Sequence, residues 1–163
     1  MLIPTKSIRD WKDLQDQVAN LFREMGYEVH SPYVVRNVRG SKEVDVYVRD
    51  IRMSIPYVIL IECKHWGANL PQDVVHSFRS TMVDCGANAG IIVGSTGFQS
   101  GAHRAAAHTN IELRTWESLQ HSYGNEWFLR QKEKLRTLDA DLKLKDRLYL
   151  DQWETPRVLM NLM

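Results

Sequence analysis

A chain of 163 residues has the length of one domain and can bury a real core, and its 44% hydrophobic, 25% charged composition is that of an ordinary globular protein. The formal net charge of +1 excludes a uniformly basic, DNA-coating surface, so a nucleic-acid partner would be held by a local patch. The sequence has no apolar run of transmembrane length and no secretory apolar core, and its two cysteines are too few for a disulfide framework. The expectation is a cytoplasmic chain with no membrane partner and with Cys63 and Cys85 buried and reduced.

"SIRDWKDLQDQVANLFREMGYEV" opens with a helix. Trp11, Leu14, Val18, Leu21, Phe22 and Met25 recur at three- and four-residue steps, with Ser7 as a possible start cap and Gly26 as an end cap. "YEVHSPYVVRNVRG" and "SKEVDVYVRD" read as two strands turned by "NVRGSK"; in the second, Val44, Val46 and Val48 alternate with Asp45, Tyr47 and Arg49. Tyr57 to Lys64 is a third strand, followed by the loop "HWGANLPQ". A helix after Pro71 carries Val74, Val75, Phe78, Met82 and Val83, with Pro71 suited to its first turn. "AGIIVGS" is a short buried strand, "FQSGAHRAAAHTN" a helix, "IELRT" a last strand, and the C-terminal third is helical.

Three strands joined by short turns imply antiparallel pairing. The helical crossover from 57–64 to 89–94 makes that pair parallel. The fold class is α/β, a mixed β-sheet with helices on both faces. The basic-leaning run from Arg130 to Arg147 reads as a solvated helix face. The apolar end "TPRVLMNLM" suits docking on the core, pairing with another subunit, or truncation of a longer protein.

The strand "YVILIECKHW" ends its apolar run on an acid and a base two residues apart. Charges are costly to bury unless they are paired or bound. Alternation puts Glu62 and Lys64 on one strand face and Cys63 on the other. Asp45, on the preceding strand, comes alongside if the pair is antiparallel and in suitable register. Two carboxylates and a backbone carbonyl form a hard-oxygen site for Mg2+, leaving positions for water and phosphate. Lys64 could orient a water or help deprotonate it; a carboxylate neighbour favours its charged form, and so the orienting role. Spacing alone is equally consistent with a surface ion pair.

"EVDVYV" followed by "VILIECKHW" is similar to the D-x(n)-E-x-K signature of the PD-(D/E)XK nucleases. "GANAGIIVGSTGFQSGAHRAAAHTNIELRTWESL" resembles the continuation seen in Mrr-like, type IV restriction endonuclease domains, over about Trp11 to Leu119. The resemblance implies a restriction-endonuclease-like nuclease domain over 1–120 and a helical C-terminal extension over 121–163. It also implies catalytic Asp45, Glu62 and Lys64, with Asp45 and Glu62 holding Mg2+ and Mn2+ as a substitute. Two departures stand out. Gln15, beside Asp16, occupies the place where many relatives carry a metal-supporting glutamate, so one-metal chemistry is expected. "SKEVD" replaces a glycine-rich turn, and Glu43 could share the task of Asp45.

Other motifs carry less. "GSTGFQSG" lacks the Lys and Ser/Thr of a phosphate loop, although a helix start at Ser95 to Ser100 could hold one phosphate. His103 and Arg104 could line the groove, and His65 could touch a phosphate; an exposed surface accounts for each equally well. Cys63 with His65 is read as a core cysteine, and no paired Cys or His spacing predicts zinc. Of Trp11, Trp66, Trp116, Trp127 and Trp153, only Trp66 lies beside the candidate site in a loop.

The expected function is a Mg2+-dependent endodeoxyribonuclease in restriction or defence. DNA is its substrate, a homodimer serves double-strand cleavage, and a separate recognition or regulatory domain reads sequence or modification. The alternatives are a structure-specific repair nuclease, an RNA nuclease, or a non-catalytic nucleic-acid-binding domain with a degenerate site.

Overall fold

The computed structural model describes residues 7–37, 40–52 and 54–160, with the side chains of 37 and 150–160 outside that description. Helix α1 (Trp11–Glu24) begins at Asp10, whose side chain accepts from the Asp13 N–H at 2.8 Å; Asp10, not Ser7, is the cap. At its end Gly26 turns the chain with φ +90°, a conformation that side chains resist. Leu14, Val18, Leu21, Phe22 and Met25 are buried as the spacing predicts, but Trp11 stays 61% exposed because it sits in the first turn, short of the sheet's cover.

Each of the two expected early strands is divided. The first becomes β1 (Glu28–His30) and β2 (Tyr33–Asn37), separated by Ser31-Pro32; the second becomes β3 (Gly40–Val44) and β4 (Val46–Asp50), separated at Asp45. β2 and β3 pair as a hairpin of their own, whose turn lies partly outside the described residues. β1 and β4 join β5 (Tyr57–Lys64), β6 (Ala89–Gly94) and β7 (Ile111–Thr115) in a five-stranded sheet of order β1-β4-β5-β6-β7. β1 to β5 run antiparallel and β5 to β7 parallel, a mixed sheet as expected.

Between the parallel strands stand α2 (Gln72–Cys85) and α3 (Ser100–Ala106); α4 (Trp116–Met160) follows β7. Pro71 is the cap of α2 rather than part of its first turn, and Gly86 ends it at φ +65°. Two apolar layers sandwich the sheet. Leu14, Val18 and Phe22 of α1 and Leu119 of α4 pack with Val46, Val48, Ile61 and Val93 on one face. Val75, Phe78 and Met82 of α2 and Ala102 of α3 pack with Val44, Leu60 and Ile92 on the other. Each large side chain fully buried this way contributes about 1.5–3 kcal/mol. Val83, expected in that layer, is 74% exposed because it follows Met82 around the helix and faces out.

Candidate active site

Asp45 stands where one strand ladder stops and another begins. Val44 packs on the α2 side, whereas Val46 and Val48 pack on the α1 side, so the unbroken alternation expected through Val44, Val46 and Val48 is interrupted at Asp45. Side-chain donors replace ladder bonds at this bend. The Asp45 carbonyl accepts from Gln15 Nε2 at 2.9 Å and from Ser31 Oγ at 2.9 Å, and Gln15 Nε2 also donates to Ser31 Oγ at 3.1 Å. The β4–β5 pairing ends at Val46 opposite Ile61. Two residues on, the Cys63 N–H donates to Asp45 Oδ2 at 2.7 Å, so a carboxylate sits where a strand would continue.

That hydrogen bond puts the Asp45 carboxylate against the backbone between Glu62 and Lys64. Lys64 Nζ and Glu62 Oε1 are 2.5 Å apart, both side chains about a quarter exposed, on the same strand face as alternation requires. The three charged groups feel one another. Burial, then the negative charge of Glu62, raises the Asp45 carboxyl above the ordinary carboxylate range, against the Cys63 N–H and Lys64; Glu43 adds a smaller push upward. Burial pulls the Lys64 ammonium down, but its hydrogen bond and charge contact with Glu62, joined by Asp45, outweigh this and the net shift is upward. The Cys63 thiol is raised well above its ordinary value by burial and then by Asp45 and Glu62, which makes it an inert core cysteine.

Asp45, whose negative charge is penalised by burial and by Glu62, is a carboxylate that a bound divalent cation would stabilise. Among the described residues no group of three or more His, Cys, Asp or Glu side chains could hold a metal. Gln15 is buried and its amide is committed to Asp45 and Ser31, so it adds no charge.

Glu62 and Lys64 also line a cleft of about 410 Å³ between β5, α2 and the β2–β3 hairpin, together with Lys42 and Trp66. Lys42 was not singled out in the sequence, since only the hairpin register turns it toward β5. Ser31 was missed as well; its one local signal is the Ser-Pro turn pair. The loop "GSTGFQSG" uses its hydroxyls internally: Ser95 Oγ donates to the Trp66 carbonyl at 3.0 Å and Thr96 Oγ1 to the Ala68 carbonyl at 2.8 Å. His103 lies edge-on to Phe98 at 5.9 Å. Trp116 and Trp127 pack against the core, while Trp153 and the end "TPRVLMNLM" lie outside the side chains described.

A mixed sheet with helices on both faces, with Asp45 beside the Glu62–Lys64 pair at a strand end, is a restriction-endonuclease-like fold. The Mrr_cat family, described as restriction endonuclease, matches residues 8–123, and the chain belongs to that family. One solved structure with the same fold, "Crystal Structure of Protein of Unknown Function AF1548", is 22% identical with a TM-score of 0.60, over 71% of this chain and 67% of that one. Another is similar at 16% identity and a TM-score of 0.43, over 86% of this chain and 45% of that one: "DNA modification-dependent restriction endonuclease AspBHI". No curated protein matches the chain. Among the described residues no helix is long and apolar enough to cross a membrane.

Proposed function

We propose that this domain is a Mg2+-dependent endonuclease that hydrolyses DNA phosphodiester bonds in restriction or defence against foreign or modified DNA. One observation carries the reading: in a chain of this family, the Asp45 carboxylate lies against the strand segment that presents the Glu62–Lys64 pair. Asp45 and Glu62 hold the cation, with Mn2+ as a substitute. The bound ion supplies Lewis-acid stabilisation of the charge developing on the scissile phosphate. Lys64 is kept as an ammonium by Glu62, which suits it to orient the attacking water and steady the phosphate rather than to abstract a proton. Gln15 and Ser31 position Asp45 through its carbonyl. Cutting both strands takes two such sites, supplied by a homodimer, and a separate domain or partner reads sequence or modification.

Plasmid DNA incubated with the protein and Mg2+ tests this. Cleavage is expected with Mg2+, none with EDTA, and a fall of roughly a hundredfold or more in Lys64→Ala, the scale of losing one group that stabilises transition-state charge. Cleavage undiminished in Lys64→Ala would sink the assignment. Cleavage of RNA alone would favour the RNA nuclease, and binding with no cleavage of any nucleic acid would favour a non-catalytic module.

A further inference from the structure

The cleft beside Glu62 and Lys64 has mixed chemistry. Lys42 and Lys64 line it from the strands, α2 contributes the apolar Val74 and Phe78 together with Asp73, Ser77 and Thr81, and Trp66, 45% exposed, lines it as well. An exposed indole beside charged groups is a face on which a flat ring can stack. The Trp66 loop is not loose. Beyond the Ser95 and Thr96 hydroxyl bonds, the Leu70 N–H donates to the Gly97 carbonyl at 3.0 Å and the Gln99 N–H to the Leu70 carbonyl at 3.0 Å, locking the loop onto the end of β6.

We infer that this cleft receives one unstacked base of the DNA strand being cut, next to the scissile phosphate, with the base stacked on Trp66 and the backbone held by Lys42. The inference rests on the nuclease reading above and adds the state of the substrate. The cleft offers each half of a nucleotide a partner, lysines for the phosphate and an exposed aromatic ring for the base. In an intact duplex both faces of a base are covered by its neighbours, so only an unpaired or extruded base can present a face to Trp66. A stacking platform accepts any base because each has a π-face. The substrate strand is therefore unpaired, or opened by the protein, at the cut.

Oligonucleotides carrying 2-aminopurine, single-stranded or at a mismatch, test this by fluorescence titration in metal-free buffer, where no cleavage intervenes. With the wild type, emission is expected to be quenched as the base stacks on the indole, and paired duplex is expected to bind more weakly than single strand. Trp66→Ala is expected to lose the quench and to bind about tenfold or more weakly, Trp66→Phe to retain part of both, and Lys42→Ala to bind more weakly with a shallower salt dependence. Trp66 is half in solvent, and circular dichroism of each variant verifies folding. Equal quench and affinity in Trp66→Ala, or no binding of any oligonucleotide by the wild type, would overturn the inference. If Trp66→Ala matches the wild type while Lys64→Ala is inactive on plasmid, the nuclease reading survives without the base pocket. If the quench depends on Trp66 but nothing is cut, the cleft assignment holds and the catalytic one falls.

Discussion

Asp45 answers two demands that oppose each other. For the fold it would be better neutral, since it is partly buried, next to Glu62, with its carboxyl raised above the ordinary range by burial first and that neighbour second. For holding a cation it must be ionised. Active sites often keep such destabilising groups because the function needs them. Asp45→Asn keeps an oxygen for the Cys63 N–H and removes the charge. In EDTA at neutral pH the variant is expected to melt at a higher temperature than the wild type. Added Mg2+ should then raise the melting temperature of the wild type but not of the variant, because only a ligand that binds the folded state stabilises it. Thermal scans in EDTA and in Mg2+ read both effects. A lower melting temperature for Asp45→Asn in EDTA would show that the negative charge supports the fold. Gln120 is a different kind of strain: its amide is buried without a hydrogen-bond partner among the described residues, one helical turn from the equally unpartnered Trp116 Nε1.

The close approach of α2 to β6 sets the shape of the cleft. A Cβ on Gly90 would meet Met82 Sδ at 2.2 Å and Phe78 Cε1 at 2.6 Å, well inside contact distance. Gly90 lets the helix lie close enough for Phe78 to fill the apolar layer and still reach the cleft wall. Gly90→Ala therefore has to push two buried side chains on one helix, a kind of overpacking that costs about 1–3 kcal/mol. Urea unfolding should register a loss of that size, and an unchanged midpoint would mean that α2 can shift freely. The β2–β3 hairpin is the second element that shapes the site. It leaves the main sheet, stacks Tyr33 on His30 at 5.0 Å and sets it against Tyr47 at a tilt with ring centres 4.8 Å apart, and brings Lys42 to the cleft with β5.

One corner ties the α1, β4 and α4 segments together. Arg52 holds both Asp50 oxygens at 2.7 and 2.6 Å, reaches Glu126 of α4 at 3.2 Å and lies 4.3 Å from the centre of the Tyr27 ring just after α1. The hydrogen bonds from Arg52 hold the Asp50 carboxyl below its ordinary range. A depressed carboxyl gives stability that is present above its unfolded pKa of about 3.9 and lost as pH falls through the lower folded value. The melting temperature of the wild type is thus expected to exceed that of Asp50→Asn by a constant margin from neutral pH to about 5, closing as the pH drops below about 4. Partial exposure keeps such a pair within about 1 kcal/mol, so the margin is a few degrees at most. A gap that persisted in acid would trace the effect to the shape of the loop, not its charge. Past this corner α4 runs on with its residues from 132 to 149 exposed, in keeping with the solvated face expected for Arg130 to Arg147. The boundary expected at residue 120 falls inside this helix, whose Leu119, Tyr123 and Trp127 still pack on the core.

Much of the architecture was readable along the chain because periodicity and covalent spacing are local. The three- and four-residue steps of α1 decide which face of that helix is buried, and alternation along β5 decides that Glu62 and Lys64 share a face. The approach of Asp45 to that pair was readable only as a condition on strand pairing. What no local pattern contained were the bend that separates Val44 from Val46, the departure of the β2–β3 hairpin from the main sheet, the hold of Gln15 and Ser31 on the Asp45 carbonyl, and the strapping of the Trp66 loop. The hold on the Asp45 carbonyl and the strapping of the Trp66 loop rest on partners 14 to 30 residues apart in the chain. Such contacts exist only after the layers have packed, because packing is what removes water and leaves those polar groups no other partner.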